Sequence, residues 1–156
     1  MVCLKQIRLQ MDNFLGKKLC FPAAEEMQNF AAAFAALAPP DTSIALIGPL
    51  GSGKTTFVQG LAHGFGLQDT VNSPSFNIFH QYNGSTNLLH IDAYRLDGSE
   101  AARQELMIDD FMISPYCLVV EWPELLYGFL EECRFKIEFS INPDQSHALL
   151  ITKTND

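Results

Sequence analysis

The chain has 156 residues, of which 47% are apolar and 18% are charged. This balance is typical of one folded globular domain and excludes a disordered chain. The formal net charge is −8, with only ten Lys and Arg residues. Direct and strong binding of RNA or DNA is therefore disfavoured, because domains that bind nucleic acid by themselves usually present a basic face.

The cysteines and the apolar runs bear on the compartment in which the protein acts. The four cysteines form no Cys-x-x-Cys pair, so neither disulfides nor a zinc site is predicted. The longest apolar stretch, residues 30–37, is far too short to span a bilayer. The N-terminus does not resemble a signal peptide. We therefore expect a cytoplasmic protein without a membrane segment.

Apolar periodicity and turn residues predict alternating strands and helices in a single domain over residues 1–156. Residues 1–15 are expected to form an N-terminal extension or an edge strand. Asn83-Gly84 separates two strand-like runs and predicts an antiparallel hairpin. In chain order, we predict strands at 17–21, 43–47, 76–82, 87–92, 117–121, 134–141 and 147–152, and helices at 22–37, 54–65, 99–106 and 123–133.

This order of elements predicts an α/β fold. The strand at 43–47 is almost wholly apolar, as expected of a strand buried on both faces of a sheet. A second turn, at residues 142–144, separates the last two strands, so antiparallel pairs accompany the buried strands. We predict a three-layer α/β sandwich with a mixed central sheet.

Residues Gly48–Thr55 match the pattern G-x-x-x-x-G-K-[ST] of a phosphate-binding loop. Glycines let the backbone N–H groups point at phosphate oxygens, and the following helix offers its free N–H groups and positive dipole end. Lys54 brings a positive charge to the β- and γ-phosphates, and the Thr55 hydroxyl ligates Mg²⁺. The loop predicts that the sandwich is of the P-loop NTPase type. We also predict binding of a purine nucleoside triphosphate with magnesium by Gly48, Leu50, Gly51, Ser52, Gly53, Lys54, Thr55 and Thr56.

Two apolar strands end in a carboxylate, Asp92 in one case and Glu121 in the other. Strand ends beside such a loop are where α/β sheets collect ligands. One carboxylate can bind the metal while the other orients the attacking water, and the sequence leaves this assignment open. We predict Lys54, Asp92 and Glu121 as catalytic residues, and Thr55, Asp92 and Glu121 as candidate metal ligands.

Polar residues near these acids are candidates for switch or partner contacts, namely Ser73, Ser75, His90, Tyr94 and Arg95. His90 shares a strand face with Asp92, although a structural histidine is the simpler interpretation. Arg95 can stabilise charge on a phosphoryl group, bind a partner or form a surface ion pair. The hydroxyls of Ser73 and Ser75 can sense the γ-phosphate, as switch segments do, or mark a proline turn.

Four segments carry a more specific signal than the loop alone. They are GPLGSGKTTFVQGL at 48–61, SPSF at 73–76, HIDAYRL at 90–96 and VEWPE at 120–124. In order and spacing they resemble the TsaE (YjeE) family, the ATPase of bacterial threonylcarbamoyladenosine tRNA modification, over roughly residues 17–150. The chain departs from the family pattern at Ser75 and Met27, where family members usually or often carry Thr.

The resemblance implies an Mg²⁺-dependent ATPase that binds and slowly hydrolyses ATP. It also implies action with two partner proteins, TsaB and TsaD, in modifying tRNAs that read codons beginning with A. The partners would hold the tRNA, in keeping with the acidic chain. By motif, Asp92 and Glu121 resemble the acidic pair of the family. Trp122 resembles a residue of its nucleotide site, and Arg95 belongs to its signature.

Three other functions are alternatives. A small-molecule kinase using the same loop would need arginines in a lid over the transferred phosphate, and only Arg95 and Arg103 lie in the right region. A GTPase switch would need an Asn-Lys-x-Asp signature, which the sequence lacks. A binding module without catalysis would not need Lys54 and both carboxylates intact.

Overall fold

Strands and helices alternate along residues 10–74 and 77–154, the parts of the chain that the computed structural model describes. The strands are β1 (Lys18–Phe21), β2 (Thr42–Ile47), β3 (Phe79–Tyr82), β4 (Asn87–Asp92), β5 (Tyr116–Glu121), β6 (Phe135–Ile141) and β7 (His147–Lys153). The helices are α1 (Ala24–Leu37), α2 (Lys54–Gly64), α3 (Glu100–Glu105) and α4 (Phe129–Glu132).

The strands form one mixed sheet in the order β1-β7-β6-β2-β5-β4-β3. Its centre, β6-β2-β5-β4, is parallel. Antiparallel strands flank the centre, with β3 beside β4 and with β7 and β1 beside β6. The predicted α/β class and mixed sheet are confirmed, and the Asn83-Gly84 turn joins the antiparallel pair β3–β4 as expected.

Helices α1 and α2 cover one face of the sheet and pack closely on each other. The close approach depends on Gly60 and Gly64 of α2. A Cβ atom on Gly60 would lie 2.5 Å from the Gln28 carbonyl oxygen, and one on Gly64 would lie 2.7 Å from the Cβ of Ala35. Side chains at these two positions would push the helices apart. The glycines therefore set the position of α2, and with it the position of the loop that precedes it.

The opposite face carries a thinner layer, made of α4 and 3₁₀ turns at Ala93–Arg95, Ile108–Phe111 and Pro123–Leu125. The predicted helix over 123–133 is wrong here. A 3₁₀ turn at Pro123–Leu125 and the short α4 replace it. Gly128 separates the two with a φ of 72°, a left-handed conformation that an α-helix cannot continue.

The N-terminal segment is described from residue 10 onward. A 3₁₀ turn at Met11–Asn13 leads to Phe14, which is buried, and its ring centroid lies 5.3 Å from that of Phe30 in α1. Residues 1–9, which belong to the predicted extension or edge strand, lie outside the described residues. None of the helices in the described ranges has the length and apolar character needed to cross a bilayer.

Candidate functional site

A cavity of about 330 Å³ opens at the carboxyl ends of the parallel strands, an edge that we call the carboxyl edge. The register of the strands explains which residues meet there. Leu46 of β2 lies opposite Glu121 of β5, and Glu121 lies opposite Asp92 of β4. The cavity is lined by Leu50, Gly51, Gly53, Lys54, Thr55, Thr56, Ser73, Asp92, Glu121, Trp122 and His147.

The loop before α2 is shaped by a glycine that has no room for a side chain. Gly53 has a φ of 109°, and a Cβ atom there would lie 2.9 Å from the Met27 sulfur and 3.2 Å from Nδ1 of His147. Met27 is fully buried and is not among the residues that line the cavity. The methionine therefore supports the loop from below.

Lys54 brings a buried positive charge to the cavity. Its Nζ donates to the carbonyl oxygen of Gly48 and, at 3.3 Å, to that of Pro49, and the side chain is almost buried. The same nitrogen lies 5.9 Å from the ring centroid of Trp122, within reach of a cation–π interaction. An ammonium has three N–H donors, so these two carbonyls leave capacity for an anionic ligand.

Glu121 is held by a histidine beneath the cavity. Nε2 of His90 lies 3.1 Å from Oε2 of Glu121, and the two residues are 0% and 5% exposed. The contact crosses between neighbouring strands, because His90 lies two residues before Asp92 on the same face of β4, and Asp92 pairs with Glu121. His90 therefore restrains one carboxylate oxygen of Glu121. Nδ1 of His90 is buried and has no hydrogen-bond partner in the described part of the chain.

Asp92 and Trp122 form the outer part of the cavity. Oδ1 of Asp92 accepts a hydrogen bond of 3.0 Å from the backbone N–H of Tyr94. Trp122 has a left-handed backbone, with φ 54° and ψ 51°, directly after the end of β5. Its ring lies 5.1 Å from that of Tyr94, centroid to centroid, and the residue is 40% exposed. An exposed aromatic wall therefore stands beside the Lys54 ammonium.

Most of the residues predicted from the sequence meet around this cavity, but several do not line it. Gly48 and Ser52 belong to the loop but do not line the cavity, and Ser52 is buried. Tyr94 reaches the site through its contact with Trp122, and Arg95 ends the following 3₁₀ turn without lining the cavity. Ser73 does line it, whereas Ser75 lies outside the described residues.

His147 lines the cavity and was not predicted from the sequence. The turn at residues 142–144 was a usable signal, because the residue that follows a hairpin turn lies at the same edge of the sheet as the turn. The missing information was the direction of β6. Since β6 runs parallel to β2, its end and the start of β7 both lie at the carboxyl edge.

The donor set fits a magnesium ion bound together with phosphate. Mg²⁺ is usually held by one or two carboxylates, with waters and substrate phosphates completing its octahedron. Thr55, Asp92 and Glu121 line one cavity and supply a hydroxyl and two carboxylates. Within residues 10–74 and 77–154, no three His, Cys, Asp or Glu side chains converge on a self-sufficient metal cage.

The fold and this loop define a P-loop-type α/β protein. Residues 21–149 match the family described as threonylcarbamoyl adenosine biosynthesis protein TsaE. The chain belongs to the TsaE family, which confirms the resemblance seen in its sequence motifs.

Relatives and a solved structure agree with this assignment. The chain is 35% identical over 129 residues to a tRNA threonylcarbamoyladenosine biosynthesis protein TsaE of Bacillus subtilis, covering 82% of this chain and 80% of that protein. It is 34% identical over 111 residues to the protein of that name from Haemophilus influenzae, covering 70% of each. A crystal structure of Bacillus subtilis YdiB superimposes with a TM-score of 0.72 at 32% identity, over 88% of this chain and 85% of that one.

Proposed function

We propose that this protein binds ATP with Mg²⁺, hydrolyses it slowly, and acts in the threonylcarbamoyladenosine modification of tRNA. The observation that carries the proposal is a single cavity that joins the loop residues Lys54 and Thr55 to the carboxylates of Asp92 and Glu121. The names of the relatives, which are tRNA threonylcarbamoyladenosine biosynthesis proteins, supply the pathway.

The proposed roles follow from charge and position. Lys54 and the loop N–H groups would hold the phosphates, and Thr55 with one or both carboxylates would hold Mg²⁺. The bound Mg²⁺ would neutralise negative charge on the phosphate oxygens. The second carboxylate would orient the attacking water and accept its proton. Each carboxylate has one oxygen held by the protein, Oε2 of Glu121 by His90 and Oδ1 of Asp92 by the Tyr94 N–H, so each has its second oxygen left for these roles.

The positions of the arginine side chains support slow hydrolysis. An arginine that contacts the transferring phosphoryl group is worth roughly 10³- to 10⁵-fold in the turnover of related enzymes. No arginine lines this cavity in the described part of the chain. Arg103 instead donates to Glu132 and to the Tyr127 carbonyl oxygen, away from the loop. This arrangement also counts against a small-molecule kinase, which would need an arginine lid.

The working context is proposed to be a complex with two partners, TsaB and TsaD. The net charge of −8 makes direct tRNA binding unfavourable, so tRNA would be held by the partners. Leu50, at the tip of the loop, and Tyr94 are both largely exposed beside the cavity, where a partner can reach them. ATP binding or hydrolysis would then drive the cycle of the partners.

Nucleotide binding is tested most directly through Trp122, the single tryptophan of the chain. Its ring lies beside the Lys54 ammonium, so a bound triphosphate changes the surroundings of the fluorophore. Titration with MgATP should give a saturable change in emission, and GTP should bind more weakly. The proposal would be refuted if the emission spectrum did not change on addition of ATP and calorimetry also detected no binding.

The pathway is tested by reconstitution. Purified partners, tRNA and substrates are assayed with and without this chain, with the Lys54→Ala variant as a matched control for the nucleotide site. Multiple-turnover modification should require the wild-type chain. Undiminished modification in its absence would exclude the proposed role. A pull-down of the partners with and without ATP then shows whether the nucleotide controls association.

A further inference from the structure

The segment that carries Ser73 to the cavity is held by side chains from two other elements. Residues 71–73 lie between α2 and β3, outside any helix or strand, yet Val71 is buried and Ser73 lines the cavity. The peptide group that joins Val71 to Asn72, which we call the 71–72 peptide, has both of its polar atoms bonded to side chains. The place of Ser73, one residue further on, therefore depends on these two bonds.

Gln59 of α2 holds the carbonyl side of the 71–72 peptide. Its Nε2 donates to the Val71 carbonyl oxygen at 3.2 Å, and its Oε1 accepts from Nε2 of Gln28, in α1, at 3.0 Å. A backbone carbonyl can only accept, so the amide of Gln59 has a single orientation that makes both bonds. Gln59 lies four residues after Thr55 and shares a face of α2 with it. The bond thus joins this segment to the helix that carries Thr55.

Tyr82 of β3 holds the amide side of the same peptide. Its side chain is buried, and its hydroxyl oxygen accepts from the Asn72 N–H at 3.4 Å. The hydroxyl also lies 3.2 Å from Nδ1 of His80, a half-buried histidine on β3 that does not line the cavity. A hydroxyl can accept one bond and donate another, so the contact with His80 leaves the bond to Asn72 intact. The 71–72 peptide therefore cannot rotate without losing a hydrogen bond.

We propose that Gln59 and Tyr82 are positioning residues that hold the Ser73 hydroxyl in place for the bound triphosphate; this proposal rests on the proposed function. Ser73 lines the same cavity as Thr55 and the two carboxylates, the groups that would meet Mg²⁺ and the phosphates. A segment outside regular structure loses backbone entropy when a ligand orders it. Because the 71–72 peptide is already fixed, less of that cost remains when Ser73 takes its position in the reacting complex.

The experiment is a double-mutant cycle between Gln59 and Ser73. Single-turnover rates of MgATP hydrolysis are measured for the wild type, Gln59→Met, Ser73→Ala and the double variant. Gln59→Met keeps the length of the side chain and removes its donor, so the rate should fall about five- to tenfold, the effect of one hydrogen bond. Ser73→Ala should lower the rate at least as much. The double variant should be no slower than Ser73→Ala, because Gln59 acts through Ser73.

Further variants separate positioning from stability. Gln59→Lys supplies another N–H donor and should recover part of the rate. Tyr82→Phe removes the second bond to the 71–72 peptide and should show the same dependence on Ser73. Two matched controls should leave the rate unchanged. Gln104→Met alters a glutamine of α3 that does not line the cavity, and His80→Ala removes the other contact of the Tyr82 hydroxyl.

The departure from additivity is the deciding quantity, because a loss of stability lowers the rate whether or not the Ser73 hydroxyl is present. Thermal unfolding checks that each variant folds, and the cycle with Tyr82→Phe decides if Gln59→Met does not. Losses that multiply in the double variant, or an unchanged rate in Gln59→Met or in Ser73→Ala, would overturn the proposal. A wild-type chain that neither binds nor hydrolyses ATP would instead refute the proposed function, and the positioning role with it.

Discussion

The two edges of the parallel sheet carry cavities of similar size but of different character. The carboxyl edge has the cavity of about 330 Å³ around the phosphate-binding loop. The opposite edge, which we call the amino edge, has one of about 390 Å³ between the starts of β2 and β5 and the segment before β6. Both are lined by charged side chains, so neither volume nor the presence of charge distinguishes them.

The charges are used differently at the two edges. At the amino edge, Arg103 Nη2 lies 2.7 Å from Oε2 of Glu132. Asp41 accepts hydrogen bonds from the Ser114 hydroxyl, at 2.9 Å, and from the Tyr116 N–H, at 3.2 Å. At the carboxyl edge, the Lys54 ammonium donates to backbone carbonyls, and no carboxylate of residues 10–74 or 77–154 lies within ion-pair distance of it. Unlike the guanidinium of Arg103, the Lys54 ammonium is not paired with a carboxylate of the described residues, so its charge is available to a ligand.

The largest effect is expected from removing that unneutralised charge. Lys54→Ala should weaken MgATP binding by about 100-fold or more, because charge-assisted contacts to the phosphates are lost. Arg103→Ala is the matched control at the amino edge, and it should leave ATP affinity unchanged. Its ion pair is 26% and 59% exposed at the two side chains, so the variant should lose only about 0–1 kcal/mol of stability. Calorimetry measures the ATP affinity of each variant, and thermal unfolding measures its stability.

Either of two results would contradict this difference between the carboxyl edge and the amino edge. Wild-type ATP affinity in the Lys54 variant would show that the buried ammonium is structural. A loss of ATP affinity in the Arg103 variant, without unfolding, would show that the amino edge also controls the nucleotide site.

The next largest effect concerns catalysis at the carboxyl edge. Glu121→Gln and Asp92→Asn remove a carboxylate while keeping its shape. Loss of the residue that activates the water should lower hydrolysis by about 100-fold, the lower end of what a general base contributes. The variant whose Mg²⁺-dependent ATP affinity also falls identifies the metal ligand. The steady-state rate of ATP hydrolysis is measured for each variant over a titration with Mg²⁺. Intact hydrolysis in both variants would remove the carboxylates from the mechanism.

A smaller effect is expected from the histidine beneath Glu121. His90→Ala leaves a carboxylate that is 5% exposed without its partner, so Glu121 should lose its orientation. Hydrolysis should fall about tenfold, the equivalent of one hydrogen bond of about 1.4 kcal/mol. His90→Gln retains an N–H donor and should restore part of the rate, whereas His80→Ala should change nothing. Equal rates in the alanine and glutamine variants would contradict a positioning role.

Much of this architecture is readable from the sequence where local pattern and local structure coincide. The loop at 48–55 is predictable because β2 and α2 flank it directly, and their periodicity is unambiguous. Asp92 follows from the turn signal at 83–84, which places the end of β4 relative to β3. In both cases the residues that determine the local structure lie within a few positions of it in the chain.

The features that were missed depend on neighbours distant in the chain. The helix predicted over 123–133 is interrupted at Gly128, which packs against Arg103, and the apolar pattern alone does not reveal that contact. His147 reaches the cavity because β6 pairs with β2, more than eighty residues earlier in the chain. The support of Met27 for Gly53 likewise joins α1 to the loop through tertiary packing.

The smallest effect expected is an absence of reaction at the amino edge. Burial raises the pKa of the Cys117 thiol, near the start of β5, from 9.0 to about 12, and it also raises the pKa of Cys133, which lines the amino-edge cavity. Only the thiolate reacts with maleimides or iodoacetamide. At pH 8 these two thiols should therefore stay unlabelled in the folded protein, while the exposed Cys20 reacts.

The sign of the pH dependence follows from the same burial. The unfolded chain ionises Cys117 above about pH 9, whereas the folded chain keeps it neutral up to about pH 12. The stability due to this neutral thiol is thus complete below pH 9 and is lost as the pH rises from 9 toward 12. Peptide mass spectrometry after labelling measures the extent of modification of each cysteine separately. A sample unfolded in guanidinium is the control. Rapid labelling of Cys133 in the folded protein would mean that reagents reach this thiol from the amino-edge cavity, and the contrast between an unreactive amino edge and a ligand-accepting carboxyl edge would not hold.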